Sequence, residues 1–173
     1  MDRPEDIEIH PLDGTVFIAM TNNDKHGNLF GQILRIREKS KDHAGLEFDF
    51  EVFIAGGTNS GFAAPDNLAF DKDGNLWVVT DISAKNLSRS VYKKFGNNGL
   101  FVIGTDTGRA YQFASSPVGA ELTGLWFTPD QKELFLSVQH PGETTKDYKK
   151  PTSHWPHGED FLPKPGVVAI YLK

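Results

Sequence analysis

The 173-residue sequence predicts an all-β fold, a β-propeller fragment of roughly three blades with the last blade incomplete. Three observations carry this reading. Short apolar runs of strand length recur along the chain, and long helical patterns are absent. Seventeen glycines and ten prolines supply the turns that many short strands require. An ordered unit also returns three times: an acid, an apolar strand, an Asp-containing turn and a second apolar strand.

The first unit begins with Ile7 and Ile9 alternating with Glu8 and His10, the pattern of a half-buried strand. Pro11-Leu12-Asp13-Gly14 is a turn, and Val16 to Met20 is a nearly continuous apolar run. Gly31 to Arg37 and Phe48 to Ile54 complete four strands, enough for one blade. The second unit has Leu68-Ala69-Phe70, a hairpin turn over Asp71 to Asn75, and Leu76 to Thr80. Residues 82–99 read as a polar excursion, before strands over Leu100 to Gly104 and Arg109 to Phe113. The third unit has Gly124 to Phe127, Glu133 to Val138, a polar loop from Gln139 to Pro165, and Val167 to Leu172. No fourth strand remains in it.

Ile9, Phe70 and Phe127 each stand six or seven residues before Val16, Leu76 and Leu134, with Asp13, Asp73 and Asp130 in the turns between. A β-sandwich of ten or eleven strands is the alternative, and it has no reason for such a repeat. The blades fall near residues 1–57, 58–118 and 119–173. Trp77, Trp126 and the phenylalanines are read as blade core. Three blades cannot close a ring, since propellers have four to eight. Exposed faces are therefore expected to drive self-association, as a dimer that mimics a closed propeller.

Composition narrows the function. A net charge of −5 carries no nucleic-acid footprint, and Lys149-Lys150 with Lys146 reads as a solvated loop. The absence of cysteine excludes disulfides, cysteine-based zinc sites and a thiol nucleophile within the chain. No apolar run approaches membrane-spanning length, and no signal peptide is visible. The chain opens straight into a motif, as a segment of a larger protein would.

That motif is Arg3-Pro4-Glu5-Asp6, an arginine and a carboxylate two residues apart before a strand. Asp66 and Glu121 precede the matching strands of the later units. In a propeller this end of the inner strand lines the central channel, so Glu5, Asp66 and Glu121 are expected to face one shared site. The register is imperfect: Glu5 and Asp66 stand four residues before Ile9 and Phe70, Glu121 six before Phe127. The bland reading of Arg3 and Glu5 is a surface ion pair. Asn67, Gln139 and His140 are weaker candidates, with local turn bonding or strand-end packing as the bland reading for Asn67 and His140. His154, His157, Glu159 and Asp160 have some metal-ligand character, but their Pro-rich surroundings favour solvated turns.

The sequence resembles the C-terminal part of the PhoX-type alkaline phosphatases. The stretches that carry the resemblance include Arg3-Pro4-Glu5-Asp6, Pro65-Asp66-Asn67-Leu68-Ala69-Phe70-Asp71, Thr80-Asp81, Ala120-Glu121-Leu122-Thr123-Gly124 and Val138-Gln139-His140-Pro141-Gly142. Further matches at Gly31 to Arg35 and Pro165 to Ile170 extend it over nearly the whole chain. The resemblance implies a phosphomonoesterase on a propeller, with iron and calcium in the channel and phosphate at the metals. It implies Arg3 as a phosphate contact and Glu5, Asp66 and Glu121 as metal ligands. It also implies a periplasmic or secreted protein, with an export signal upstream of this chain. In the family an iron ligand is a cysteine, and others lie in earlier blades. Having neither, this chain is expected to be inactive alone. The competing reading is a calcium-binding or scaffolding propeller of the lactonase or NHL kind, which the second unit also resembles.

Overall fold

The structure, a computed structural model, describes residues 2–40, 44–159 and 161–172. Eleven strands form three antiparallel sheets, each meandering in chain order. The first contains β1 (Pro4–Ile9), β2 (Val16–Met20), β3 (Gln32–Glu38) and β4 (Phe48–Ala55). The second contains β5 (Pro65–Phe70), β6 (Leu76–Thr80), β7 (Gly99–Ile103) and β8 (Ala110–Ser115). The third contains β9 (Glu121–Phe127), β10 (Glu133–Gln139) and β11 (Gly166–Tyr171). The fold is all-β, three successive propeller blades with β1, β5 and β9 as neighbouring inner strands.

The sequence repeat is a structural one. Ile9 pairs with Val16, Phe70 with Leu76 and Phe127 with Leu134, so these residues occupy equivalent places. Blades 1 and 2 meet around Phe17, Ile33, Leu68, Leu76, Val78 and Ile103. Blades 2 and 3 meet around Trp77, Val79, Leu100, Leu122, Leu134 and Leu136. All five residues of β6 are buried, because this strand is covered on both faces. That is why Leu76 to Thr80 reads as a continuous apolar run and not as an alternation.

Three features differ from the sequence reading. In β1 the alternation is present but turned round: Glu8 is half-buried, while Ile7 and Ile9 are 60% and 63% exposed. Trp126 is not core but 73% exposed, and Phe48, Phe50, Phe113 and Phe161 are exposed as well. The physical reason for Ile7, Ile9, Phe50 and Trp126 is shared: each sits on a face of the first or third blade that no neighbouring blade covers among the described residues. Finally, the excursion over residues 82–99 is not simply polar. It contains a 3-10 helix, Ser90–Phe95, and buries Ile82, Leu87 and Tyr92 against Ala63, Ala64 and Phe30. The Tyr92 hydroxyl donates to Leu29 O at 2.6 Å, tying this excursion to blade 1.

Candidate functional site

The acids do not sit in loops before the inner strands. They lie within them, at or beside an irregularity that recurs in every blade. Between the pairs Pro4–Met20 and Ile7–Ile18, two residues oppose one, and the same holds between Pro65–Thr80 and Leu68–Val78. The third inner strand shifts register at the matching place, after Thr123. A β-bulge of this kind twists the strand and re-aims its side chains. The bulge falls on Glu5-Asp6 in blade 1, on Asp66-Asn67 in blade 2 and on Gly124-Leu125 in blade 3; counted back from Ile9, Phe70 and Phe127, the equivalent pairs are Glu5-Asp6, Asp66-Asn67 and Thr123-Gly124.

In blades 1 and 2 the second residue of the pair clasps the next blade. Asp6 Oδ2 accepts from Leu68 N at 2.8 Å, and Asn67 Oδ1 accepts from Gly124 N at 2.9 Å and from the Thr123 hydroxyl. Asn67 is thus an inter-blade fastener, neither a turn former nor a visible ligand. The first residue of each pair is Glu5, Asp66 and then Thr123, whose hydroxyl is taken up by Asn67. Glu121 therefore matches a different position. It pairs with Gln139, as Arg3 O accepts from Thr21 N and Ala64 O from Asp81 N, so Glu121 stands where Arg3 stands in blade 1. The imperfect register in the sequence has this cause.

Arg3 binds Glu5 through two nitrogens, Nε at 3.2 Å and Nη2 at 3.1 Å from the same Oε1. Its Nη2 also lies 3.9 Å from Asp81 Oδ2. Asp66 is buried, and its pKa is pushed up to about 6 by desolvation, then by the negative charge of Asp81, Glu5 and Asp6. Glu121 is raised further, to about 7, by desolvation and then by Asp81, Asp66, Glu143 and Glu5. Asp81 is raised by desolvation, with Arg3 and His140 opposing and Glu143 and Glu5 reinforcing. These shifts describe one connected patch of negative potential, with the Arg3 guanidinium as a positive charge within it. Glu5, Asp66 and Glu121 all belong to it.

Asp81 and Glu143 belong to it too, and the sequence reading passed them over. Thr80-Asp81 recurs in the family resemblance, which was the available signal for Asp81. Nothing local marks Glu143, an exposed residue after the turn at His140. A further omission is Asn98, which is 1% exposed. Its Oδ1 accepts from Ile82 N at 2.6 Å and from Thr80 Oγ1 at 3.2 Å. Its Nδ2 donates to Ile82 O at 3.2 Å and Ala120 O at 3.1 Å. One side chain thereby holds the Thr80 hydroxyl before Asp81, the Ile82 backbone after it and the carbonyl of the residue before Glu121. Its placement depends on a contact between two blades, which no linear motif announces.

The donor chemistry suits a hard divalent cation: several carboxylate oxygens with insufficient positive charge among them. Thr21 Oγ1 is also buried with no hydrogen-bond partner among the described residues, one strand across from Arg3. The set is nonetheless incomplete. Among the described residues, no three His, Cys, Asp or Glu side chains converge closely enough to hold an ion. His154 and His157 do not assemble a centre either. His154 Nδ1 lies 3.0 Å from Phe161 O, His157 stacks edgewise on Phe161, and Asp160 lies outside the described residues. The larger surface hollows lie elsewhere, beside Asp13 to Thr15 and beside Phe30, Val91 and Lys94. An open channel wall is not an enclosed cavity, so the electrostatic convergence is the better guide to the site.

Comparison with known proteins identifies the family. The family described as alkaline phosphatase PhoX matches residues 1–142. A solved structure, Pseudomonas fluorescens PhoX in complex with vanadate, a transition state analogue, is similar with a TM-score of 0.86 and 34% identity. The likeness covers 99% of this chain and 34% of that one, so the chain spans about a third of the length of its relative. No curated protein sequence matched. On the family match and the structural likeness together, the chain belongs to the PhoX alkaline phosphatase family.

Proposed function

We propose that the chain forms one wall of a metal-dependent phosphomonoesterase site, completed by residues of a longer parent. The observation that carries this reading is the electrostatic convergence of Arg3 with Glu5, Asp66 and Glu121 at the inner-strand ends of three blades and with Asp81 at the end of β6. Phosphate ester hydrolysis requires neutralisation of the phosphoryl charge and an oriented attacking oxygen. Glu5, Asp66 and Glu121 would each contribute carboxylate oxygen, which matches the hardness of calcium, to sites that the rest of the parent completes. Iron would rest on ligands beyond this cysteine-free chain. When bound, such cations supply Lewis acidity toward the phosphoryl oxygens.

Arg3 has the part this chain can play directly. Its side chain is 53% exposed, so its guanidinium is accessible to a phosphate while Glu5 and Asp81 orient it. A planar guanidinium grips two phosphate oxygens at once and offsets charge that grows in the transition state. Glu5 and a phosphate compete for the same guanidinium edge. A parent carrying this wall would act on phosphomonoesters outside the cytoplasm, as expected for the family. No helix among the described residues is long and apolar enough to cross a membrane.

The test compares the full-length parent with the 173-residue chain on a chromogenic phosphomonoester, with metal analysis of both. Activity with bound calcium and iron in the parent, and none in the chain alone, supports a divided site. Glu5→Gln in the parent should lower both metal content and activity. An inactive, metal-free parent, or a Glu5→Gln parent that behaves as wild type, supports the scaffolding reading and removes the roles of Arg3 and Glu5.

A further inference from the structure

The longest connection in the chain, residues 140–165, leaves β10 and returns to β11 at the site end of blade 3. Gln139, the last residue before it, pairs with Glu121, and Gly166 after it pairs with Val138. The connection folds on itself. Gly142 N donates to Val118 O at 2.8 Å, Glu143 N to His140 O at 2.9 Å and Thr145 N to Gly142 O at 2.9 Å. Thr152 N donates to Thr145 Oγ1 at 3.0 Å, and Lys164 N to Trp155 O at 3.0 Å. Gly142 has a φ of +72°, and a Cβ there would stand 3.2 Å from Pro163, Ser153 and Thr145 alike, so the two halves of the loop close on each other at this point. Compact surface loops packed by their own side chains frequently carry function.

Inside the loop is a hollow of about 300 Å³, walled by Pro141, Pro163, Pro165 and Tyr148, with His140 and Glu143 also on its lining. Every lining residue belongs to this one loop, so the hollow is formed by this chain itself. It lies at the small end of the range for small-molecule sites. Three prolines and an aromatic ring give flat apolar walls, and proline has no side-chain freedom to lose when a ligand arrives. Tyr148 is 72% exposed, so its ring is accessible. The hollow also borders the acid patch. The charge of Glu143 raises both Asp81 and Glu121. Gly119, two residues before Glu121, packs so closely on Glu143 N that a Cβ there would approach to 3.2 Å. No lysine or arginine lines the hollow among the described residues, and Glu143 gives it an acid.

We propose that this hollow is the leaving-group subsite of the phosphomonoesterase site, and that it favours phosphomonoesters whose alcohol part is a flat uncharged ring over those whose alcohol part carries further negative charge. The inference rests on the function proposed above and adds a substrate class to it. The phosphoryl group is the same in every phosphomonoester, so with that group at Arg3 discrimination falls to whatever the ester oxygen carries. Tyr148 and the prolines offer a ring stacking and apolar contact. Glu143 repels a carboxylate or a second phosphate at the same place. Tyr148 and Glu143 thus set specificity and touch no reacting atom.

The experiment measures kcat/KM of the full-length parent on 2-naphthyl, glycerol, 4-nitrophenyl and 4-carboxyphenyl phosphates, beside Tyr148→Ala, Tyr148→Phe and Glu143→Gln. Comparing each variant with the parent cancels the differing reactivity of the esters. Tyr148→Ala should lower the preference for 2-naphthyl over glycerol phosphate about three- to tenfold, chiefly through KM, and Tyr148→Phe should keep it. Glu143→Gln should raise 4-carboxyphenyl relative to 4-nitrophenyl phosphate about three- to fivefold. An unchanged preference in either Tyr148→Ala or Glu143→Gln overturns the inference, and the activity of the parent then leaves the proposed function standing. Fluorescence titration with 2-naphthol, the alcohol alone, gives a readout free of catalysis, and its affinity should fall about three- to tenfold in Tyr148→Ala. A parent that hydrolyses none of these esters fails the proposed function by itself. The titration then decides the hollow: weaker binding in Tyr148→Ala upholds it as an aryl site, and equal binding overturns it.

Discussion

Asn98 and Arg3 make opposite kinds of residue. Asn98 is buried with four hydrogen bonds, all to groups that have no water to turn to. Asn98→Ala should cost about 2–3 kcal/mol in urea unfolding, because Ile82 N and Ala120 O are left unsatisfied. A change below about 0.5 kcal/mol would show that this network does not hold Asp81 and Glu121 in place. The Arg3–Glu5 pair is half exposed, and such pairs contribute about 0–1 kcal/mol. Arg3→Gln should leave stability nearly unchanged while lowering activity of the parent, and a matched loss of both would mean a structural role. The acids add a dependence on pH. Asp66 and Glu121 have raised pKa values, near 6 and 7, against ordinary values of 3.8 and 4.5. The folded chain thus keeps protons on these two groups that the unfolded chain releases, so their contribution to stability is full below about pH 4 and falls as pH rises through about 7. Thermal unfolding should occur at higher temperature at pH 5.5 than at pH 8. Glu121→Gln should flatten that difference and add about 1 kcal/mol at pH 8 after allowance for partial exposure. A melting temperature independent of pH over this window would contradict the shared negative patch.

The strands were legible in the sequence and their irregularities were not. Leu76 to Thr80 announces a strand by composition, and Asp73-Gly74 announces its turn. The bulges over Glu5-Asp6, Asp66-Asn67 and Gly124-Leu125 leave no mark in hydropathy, since each is a matter of pairing with a partner strand. The clasp of Asn67 on Gly124 is likewise a contact between residues 57 apart. Asn67→Ala should therefore weaken the chain by about 1–2 kcal/mol, and Asn67→Asp, which keeps an acceptor as Asp6 does, by less. Equal losses from the two would show that acceptance of the Gly124 amide is not what Asn67 contributes. Gly31 is a second hidden constraint. Its φ is +74°, and a Cβ there would stand 2.2 Å from Thr21 O and 2.5 Å from Met20 O. Both are backbone atoms that cannot step aside, so the approach of β3 to the Thr21 turn requires glycine.

Among the blades, each contacts only its neighbours, and blade 2 alone is covered on both sides. Such arrays distribute stability unevenly. Amide exchange should be slowest in β6 and β7 and fastest along β4 and β11, at the outer rim of the end blades. Uniform protection across the three sheets would show that the end blades are covered in solution beyond what one chain provides. The sequence revealed the number of blades because the repeat is intrinsic to each. It did not reveal which faces are covered: Ile9 and Phe70 have the same pattern around them, and only the presence of an adjacent blade separates a 63% exposed residue from a half-buried one. The same limit applies to the site. Arg3 and Glu5 are adjacent along the chain and could be named, whereas Asp81, Glu143 and Asn98 join them through the curvature of the array.

The clasp at the bulge also gives the array a grammar. Asp6 and Asn67 are forward-pointing words, each requiring a successor, and Gly124 is a full stop. Blades 1 and 2 could be duplicated in line without orphaning an amide. A copy of blade 3 placed between them would break the sentence unless Gly124 became Asn or Asp. Order along this chain is therefore written into single side chains, and lengthening it by recombination is permitted at some joints and forbidden at others.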